Sequence, residues 1–275
     1  MEHKSNTIYH YTDFDALKGI VETKELWLNN IFNSNDSKEL KIFYEYLLPK
    51  LTKQLNPNDC KVLPKNIDFI KSFEAFLKQI DFRPFYIACF SFLNDDAAQW
   101  ERYGYAASGV RIAFDKELLK SILPSNFFSG KVKYEIKNKD IKPIVEILYE
   151  YIEDNKRGTF NSALFKLRNL AAIFKHKSFQ AEKEFRICVD QKKVEDKVNS
   201  VLLKETIVAN SLKEICILHL DKLCEHNGVE FEKLIKNVVL GPKAAISVGA
   251  IKRYLIAKGL KRLANNVSSS ECPLQ

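Results

Sequence analysis

Residues 175–189, KHKSFQAEKEFRICV, are the stretch on which the reading of the whole chain turns. The spacing predicts the end of a helix, a short polar connection, and a strand that starts near Glu182 and runs through Phe185, Ile187 and Val189. Residues two apart on a strand share a face. Glu182, Glu184 and Arg186 then form one polar row, with Phe185, Ile187 and Val189 on the other side. Two uses fit such a row. It is the polar outer face of a half-exposed edge strand, or it is a line of acid, acid and base along a cleft.

Working outward, the N-terminal half alternates strands and helices. Residues 8–12 are a short β-rich run, and Asp13 is placed to cap a helix over 14–22 with Phe14, Leu17 and Ile20 on its apolar face. Residues 26–28, Leu-Trp-Leu, read as a second strand. The turn-rich segment 29–36 ends in Asn35-Asp36, and helical spacing follows over much of 37–80. Residues 85–92, FYIACFSF, are the strongest strand signal in the chain. Asp95 and Asp96 open a short helix bearing Trp100 and Tyr103, and strands are predicted at 109–114 and 131–136. Amphipathic helices follow at 141–153 and 159–174. Beyond the opening stretch, 198–208, 214–220 and 238–240 look like strands, and Ser247 caps a basic helix to about residue 263.

The expected class is α+β, with a mixed, partly antiparallel central sheet built from 8–12, 26–28, 85–92, 109–114, 131–136 and 182–189 and helices on its faces. The reading is a single domain over 1–265, with helical insertions near 37–80 and 141–174 and a frayed tail at 266–275. Nineteen Phe and eleven Tyr supply core material, and only nine Gly and eight Pro exclude a collagenous or linker-rich chain. A net charge of +8 permits an anionic partner such as nucleic acid or a nucleotide. No apolar run approaches the roughly eighteen residues of a membrane span, and the start of the chain has no apolar leader core. The six cysteines (Cys60, Cys89, Cys188, Cys216, Cys224 and Cys272) are scattered, and Cys89 and Cys188 sit in apolar runs as expected buried thiols. The expected compartment is reducing and cytoplasmic.

Cys216, His219, Cys224 and His226 are metal-competent, but Cys216 and His219 fall three apart on a strand and point to opposite faces, so no metal is expected. There is no G-x-S-x-G, no P-loop and no G-x-G-x-x-G, which removes the hydrolase-elbow, NTPase and Rossmann readings. A nuclease would need clustered acidic metal ligands, and Glu182-Lys183 lacks the intervening residue of a D…E-x-K pattern. What remains is polar and aromatic: His10, Tyr11, Thr12, Asn35, Asp36, Ser91, Trp100, Tyr103, Lys175, His176, Glu182, Glu184 and Arg186. Several fall at strand ends or strand-to-helix junctions, where sites tend to be built.

The order YHYT (9–12), LWL (26–28), ND (35–36), CFS (89–91), WERY (100–103), GVRIAF (109–114), KHKSFQAEKEFR (175–186) and VVLGP (238–242) resembles a bacterial domain family of unknown function. The opening strand, helix and strand are also remotely similar to NAD-using ADP-ribosyltransferases. That resemblance implies a split-sheet fold, NAD as substrate, and a catalytic glutamate at Glu184, or alternatively Glu182. Nicotinamide departure leaves an oxocarbenium-like ribosyl cation that a carboxylate can stabilise. The resemblance further implies that His10 and Thr12, with Tyr11 on the same strand, hold the ribose or the nicotinamide amide. Ser91 is the nearest candidate for the hydroxyl of the middle strand. Tyr103 or Trp100 would stack on the nicotinamide ring, and Arg186 or Lys175 would pair with the pyrophosphate or steady the carboxylates. The implied partners are a nucleic-acid or protein acceptor and, in a phage-defence or toxin–antitoxin setting, an antitoxin or other defence partner. The alternative is a non-catalytic nucleotide- or partner-binding module of such a system. An enzyme needs Glu184 free and facing a pocket with His10. A binding module tolerates a neutralised Glu184.

Overall fold

The computed structural model describes residues 6–33, 43, 49, 85–154, 157–191, 194, 200–208 and 211–274. The expected Asn35-Asp36 turn, and all of the expected 37–80 helices except residues 43 and 49, lie outside them. In chain order the elements are β1 (Thr7–Thr12), α1 (Phe14–Glu22), β2 (Glu25–Asn30), β3 (Phe85–Ser91), α2 (Ala97–Tyr103), β4 (Val110–Asp115), α3 (Lys116–Ser121) and β5 (Phe127–Lys131). Next come α4 (Asn138–Asp154), α5 (Arg157–Ala172), a 3-10 turn at Lys177–Glu182, β6 (Glu184–Asp190), β7 (Val201–Val208) and β8 (Ser211–His219). The chain continues with α6 (Leu220–His226), α7 (Phe231–Leu234), β9 (Ile235–Leu240), α8 (Val248–Ala257), α9 (Lys261–Ala264) and β10 (Val267–Ser269).

The fold is α+β, and the sheet is mixed and mostly antiparallel. Its path is β10-β9-β4-β1-β3-β2-β8-β7, and it forks at β3, which also pairs with β6, itself paired with β5. β10 runs parallel to β9, whereas β1–β4, β4–β9, β5–β6, β2–β8 and β7–β8 are antiparallel. Local chemistry starts the helices, at Asp13, Asp96 and Ser247 as the sequence predicts. Asp13, Asp96 and Asp115 each accept a backbone N–H three residues on, at 2.8, 3.0 and 3.0 Å, and Ser247 does the same for Ala250. Leu17, Ile20 and Val21 of α1 pack into the main core with Ile8, Ile112, Phe114 and Ile187.

The chain divides into two compact units. The first comprises Met1–Asn29, Tyr86–Lys131 and Glu182–Gln275, and the second comprises Asn30–Phe85 and Val132–Ala181. The second takes in both stretches set apart as helical insertions. Within it, Phe43 and Phe174 meet with ring centroids 5.5 Å apart, and Lys133 pairs with Asp140.

Four local expectations are corrected. The strand predicted at 131–136 lies earlier, at Phe127–Lys131, where Phe127 is buried opposite Val189, and Lys133 makes only an isolated bridge to Phe174. Glu182 is not on the strand: it closes the 3-10 turn, and Lys183 at φ +47° redirects the chain into β6. Gly259, at φ +80°, divides the predicted C-terminal helix into α8 and α9. The tail expected to fray instead adds β10, because Val267–Ser269 finds the open edge of β9. Among the described residues no helix is long and apolar enough to cross a membrane.

Candidate functional site

The junction of β3, α2 and β6 gathers most of the acids and hydroxyls picked out in the sequence. Ser91 ends β3 and is buried. Its Oγ donates to the Glu182 carbonyl at 2.7 Å and accepts the Leu93 N–H at 3.0 Å. The Phe92 N–H donates to the Lys183 carbonyl at 3.0 Å, so the start of β6 is stitched to the end of β3. The Glu182 carboxylate is buried and accepts the Tyr103 hydroxyl at 2.7 Å, with Arg102 Nη1 at 3.5 Å. Tyr103 is 37% exposed, so a phenol links the buried acid to solvent.

Every residue of β6 is buried, which overturns the half-exposed edge strand. Glu184 and Arg186 share one face, as their spacing predicts, and form a forked ion pair. Arg186 Nε donates to Glu184 Oε1 at 2.7 Å and Nη2 donates to Oε2 at 3.2 Å. Arg186 is 1% exposed and Glu184 5%. A charge-assisted fork of this kind is among the stronger polar contacts a protein makes. Phe185 points the other way, with its ring 6.4 Å from Phe90 and 5.9 Å from Phe92.

The residues of the first strand divide between the two faces of the sheet. Tyr9 is the register partner of Ser91, so Tyr9 and Tyr11 share the face of Ser91. His10 and Thr12 turn to the opposite face. The His10 ring lies 5.5 Å from Phe90, which in turn meets Phe185, so the sheet itself separates His10 from Glu184. His10 Nδ1 donates to the Cys89 carbonyl at 3.0 Å. Burial depresses the imidazole pKa, against the opposing pulls of that carbonyl and of Asp13. The folded chain therefore favours neutral His10, while the unfolded chain takes a proton near the ordinary 6.5. The stabilisation from His10 is complete above that value and is lost as pH falls through it toward the lower folded value. His10→Phe is expected to flatten the loss of urea midpoint between neutral and mildly acid pH. An unchanged slope would show that another group carries the dependence.

Tyr11 and Trp100 act as struts. The Tyr11 hydroxyl donates to the Leu93 carbonyl at 3.0 Å and accepts the Asp96 N–H at 3.1 Å, and burial pushes its pKa up to about 12. Trp100 has no exposed surface. Its ring meets Tyr11 edge-on at 4.9 Å and its Nε1 donates to Asp95 at 2.7 Å. A ring with neither face open cannot stack on a nicotinamide, so the stacking expected of Trp100 is corrected to a packing contact. Thr12 is half-buried opposite Val110, and its carbonyl lies so close to Gly109 that a Cβ there would sit 2.2 Å away. After α2, Tyr105, Ala106 and Ala107 all have positive φ (52°, 48° and 66°), an unusual run for residues with a Cβ.

Cys89 is exposed, not buried as expected, because it faces away from the main core side of β3; Cys188 is buried. In the second unit, Lys175 is buried with its ammonium 4.7 Å from the Phe179 ring, and His176 Nδ1 meets Ser178 Oγ at 2.9 Å. Among the described residues, no three His, Cys, Asp or Glu side chains are grouped to hold a metal ion. The sequence reading passed over Arg102, which reaches Glu182, and Arg111, the lone cation of the apolar strand GVRIAF.

No curated protein and no solved structure matches the chain. Residues 99–187, which hold Trp100, Tyr103, Glu182, Glu184 and Arg186, match the model of a family described as Protein of unknown function (DUF2971), so the chain carries a domain of unknown function there.

Proposed function

We propose that this protein is a non-catalytic nucleotide- or partner-binding module. The observation that carries the reading is the buried fork between Glu184 and Arg186. A carboxylate that stabilises a ribosyl cation must aim an uncompensated charge at the substrate. Glu184 instead spends both oxygens on a guanidinium, and His10 lies across the sheet from it. The surface left for a ligand is basic and aromatic: half-exposed Tyr103, exposed Tyr105, and Arg102, which is more than half exposed. Such side chains stack on bases and meet phosphates. A phage-defence or toxin–antitoxin setting, with an antitoxin or other defence partner, is supported by the family resemblance alone.

One observation favours the NAD-dependent ADP-ribosyltransferase as a second reading. Glu182, held by Tyr103 and reached through a half-exposed phenol, is the carboxylate of the pair closer to solvent-facing groups. In that reading Glu182 takes the catalytic role, NAD is the substrate, and the acceptor is a nucleic acid or protein. The test is nicotinamide release by the purified full chain, with nucleic acid or cell lysate as acceptor, beside Glu182→Gln and Glu184→Gln. The binding module predicts no release by any of the three. Release by the unaltered chain that Glu182→Gln abolishes, with folding retained, would establish the transferase instead.

A further inference from the structure

The face of the sheet that carries Tyr9 and Tyr11 also holds a buried arginine, Arg111, that makes no ion pair among the described residues. Arg111 is only 3% exposed, and register places it on β4 between Tyr11 of β1 and Val239 of β9. Tyr9, Ala113 and Asn237 form the adjacent row across the same three strands. The guanidinium lies over the Tyr9 ring, 4.7 Å from its centroid, and Nη2 donates to Asn237 Oδ1 at 2.8 Å. Nε is buried and has no acceptor among the described residues. Among the described residues no carboxylate forms an ion pair with Arg111. Burial depresses its pKa, and the opposing pulls of Tyr11, Tyr9 and Asp95 offset this only in part.

We propose that Arg111 anchors a site for a small oxyanion, a phosphate group either free or carried by a nucleotide. A buried guanidinium with no anion in contact is costly, and an arriving oxyanion offsets that cost. Stacking on Tyr9 occupies a face of the guanidinium and leaves its in-plane N–H groups for an acceptor. The Nε–H, on the edge it shares with Nη2, is left as a donor for a phosphate oxygen. Asn237 turns its carbonyl to Arg111, so its amide N–H groups stand beside the guanidinium as further donors. Tyr9 and Asn237 are both half-buried, so the row in contact with the guanidinium reaches solvent. The site goes beyond the binding-module reading and does not depend on the state of Glu184.

The test is the thermal midpoint of the full chain in rising inorganic phosphate, compared with chloride at equal ionic strength and repeated with ADP. The unaltered protein is expected to show a saturable rise specific to phosphate. Asn237→Asp supplies Arg111 with a carboxylate of its own; it is expected to raise the midpoint in chloride and to weaken the phosphate response by about tenfold or more. Arg111→Met is expected to abolish the response. A much stronger response to ADP than to phosphate assigns the source as a nucleotide, and an equal one assigns free phosphate. Identical behaviour in phosphate and chloride, or an Asn237→Asp response equal to that of the unaltered protein, overturns the site, since water then serves Nε.

Discussion

Arg186→Met is expected to lower the unfolding free energy by about 3–5 kcal/mol, because it leaves the Glu184 carboxylate buried without its guanidinium. The magnitude follows from asymmetry. Once both charges are out of water, removing one exposes the whole desolvation penalty of the other, whereas replacing both by apolar groups of similar volume is often near neutral. Glu184→Leu combined with Arg186→Met should therefore recover a good part of the loss. Denaturant unfolding of the two single variants and the double variant closes the cycle. A double variant no more stable than the worse single one would mean that the pair does more than balance itself. A loss below about 1 kcal/mol for Arg186→Met would mean that the fork contributes no more than a surface pair does. Either outcome would free Glu184 for a chemical role and reopen the transferase reading.

Trp100→Ala is the second large effect, expected at about 3–5 kcal/mol for a fully buried indole cut to a methyl group. Two losses combine in it. The ring no longer fills the space against Tyr11 and Val239, and Asp95 loses the Nε1–H donor. Asp95 is a hub, since it also accepts the Ser270 hydroxyl and, at 2.8 Å, the Glu271 N–H. Burial acts to raise its pKa, yet the bonds from Ser270, Trp100 and Glu271 hold it below the usual carboxylate range. Trp100→Phe keeps an aromatic ring and loses only the donor, so its cost should be nearer 1–3 kcal/mol, roughly that of one buried hydrogen bond to a charge. Hydrogen exchange at the Glu271 and Cys272 amides should quicken in both variants. Unchanged exchange would show that the chain beyond β10 is fastened independently of Trp100.

The unequal legibility of the chain has a physical pattern. Helix starts were readable because a cap is a contact between near neighbours: Asp13, Asp96 and Ser247 each bond three residues onward. The apolar strands were readable because runs such as FYIACFS and the VRIAF of β4 fit burial in a sheet whatever lies beside them. The strand placed at 131–136 failed because register, not propensity, located β5: pairing Phe127 with Val189 buries a phenylalanine that a later strand would leave unpaired with β6. The family-like order of short motifs picked out Ser91, Tyr103 and Glu182, and the fold joins all three through two hydrogen bonds.

By itself, then, the sequence determined the α+β class, the capped helices, and the alternation that puts Glu184 and Arg186 on one side of β6 and Phe185 on the other. Only the tertiary structure decided what those sides meet. Period-two spacing states which residues share a face, but not whether solvent, a ligand or other side chains cover it. Covering groups come from distant parts of the chain: Tyr103 reaches Glu182 across 79 residues, and Asn237 reaches Arg111 across 126. That is why one row of acid and base reads equally well as a catalytic line or a structural pair, and why the buried Arg111, a single letter in an apolar strand, becomes a candidate site only once its neighbours are in place.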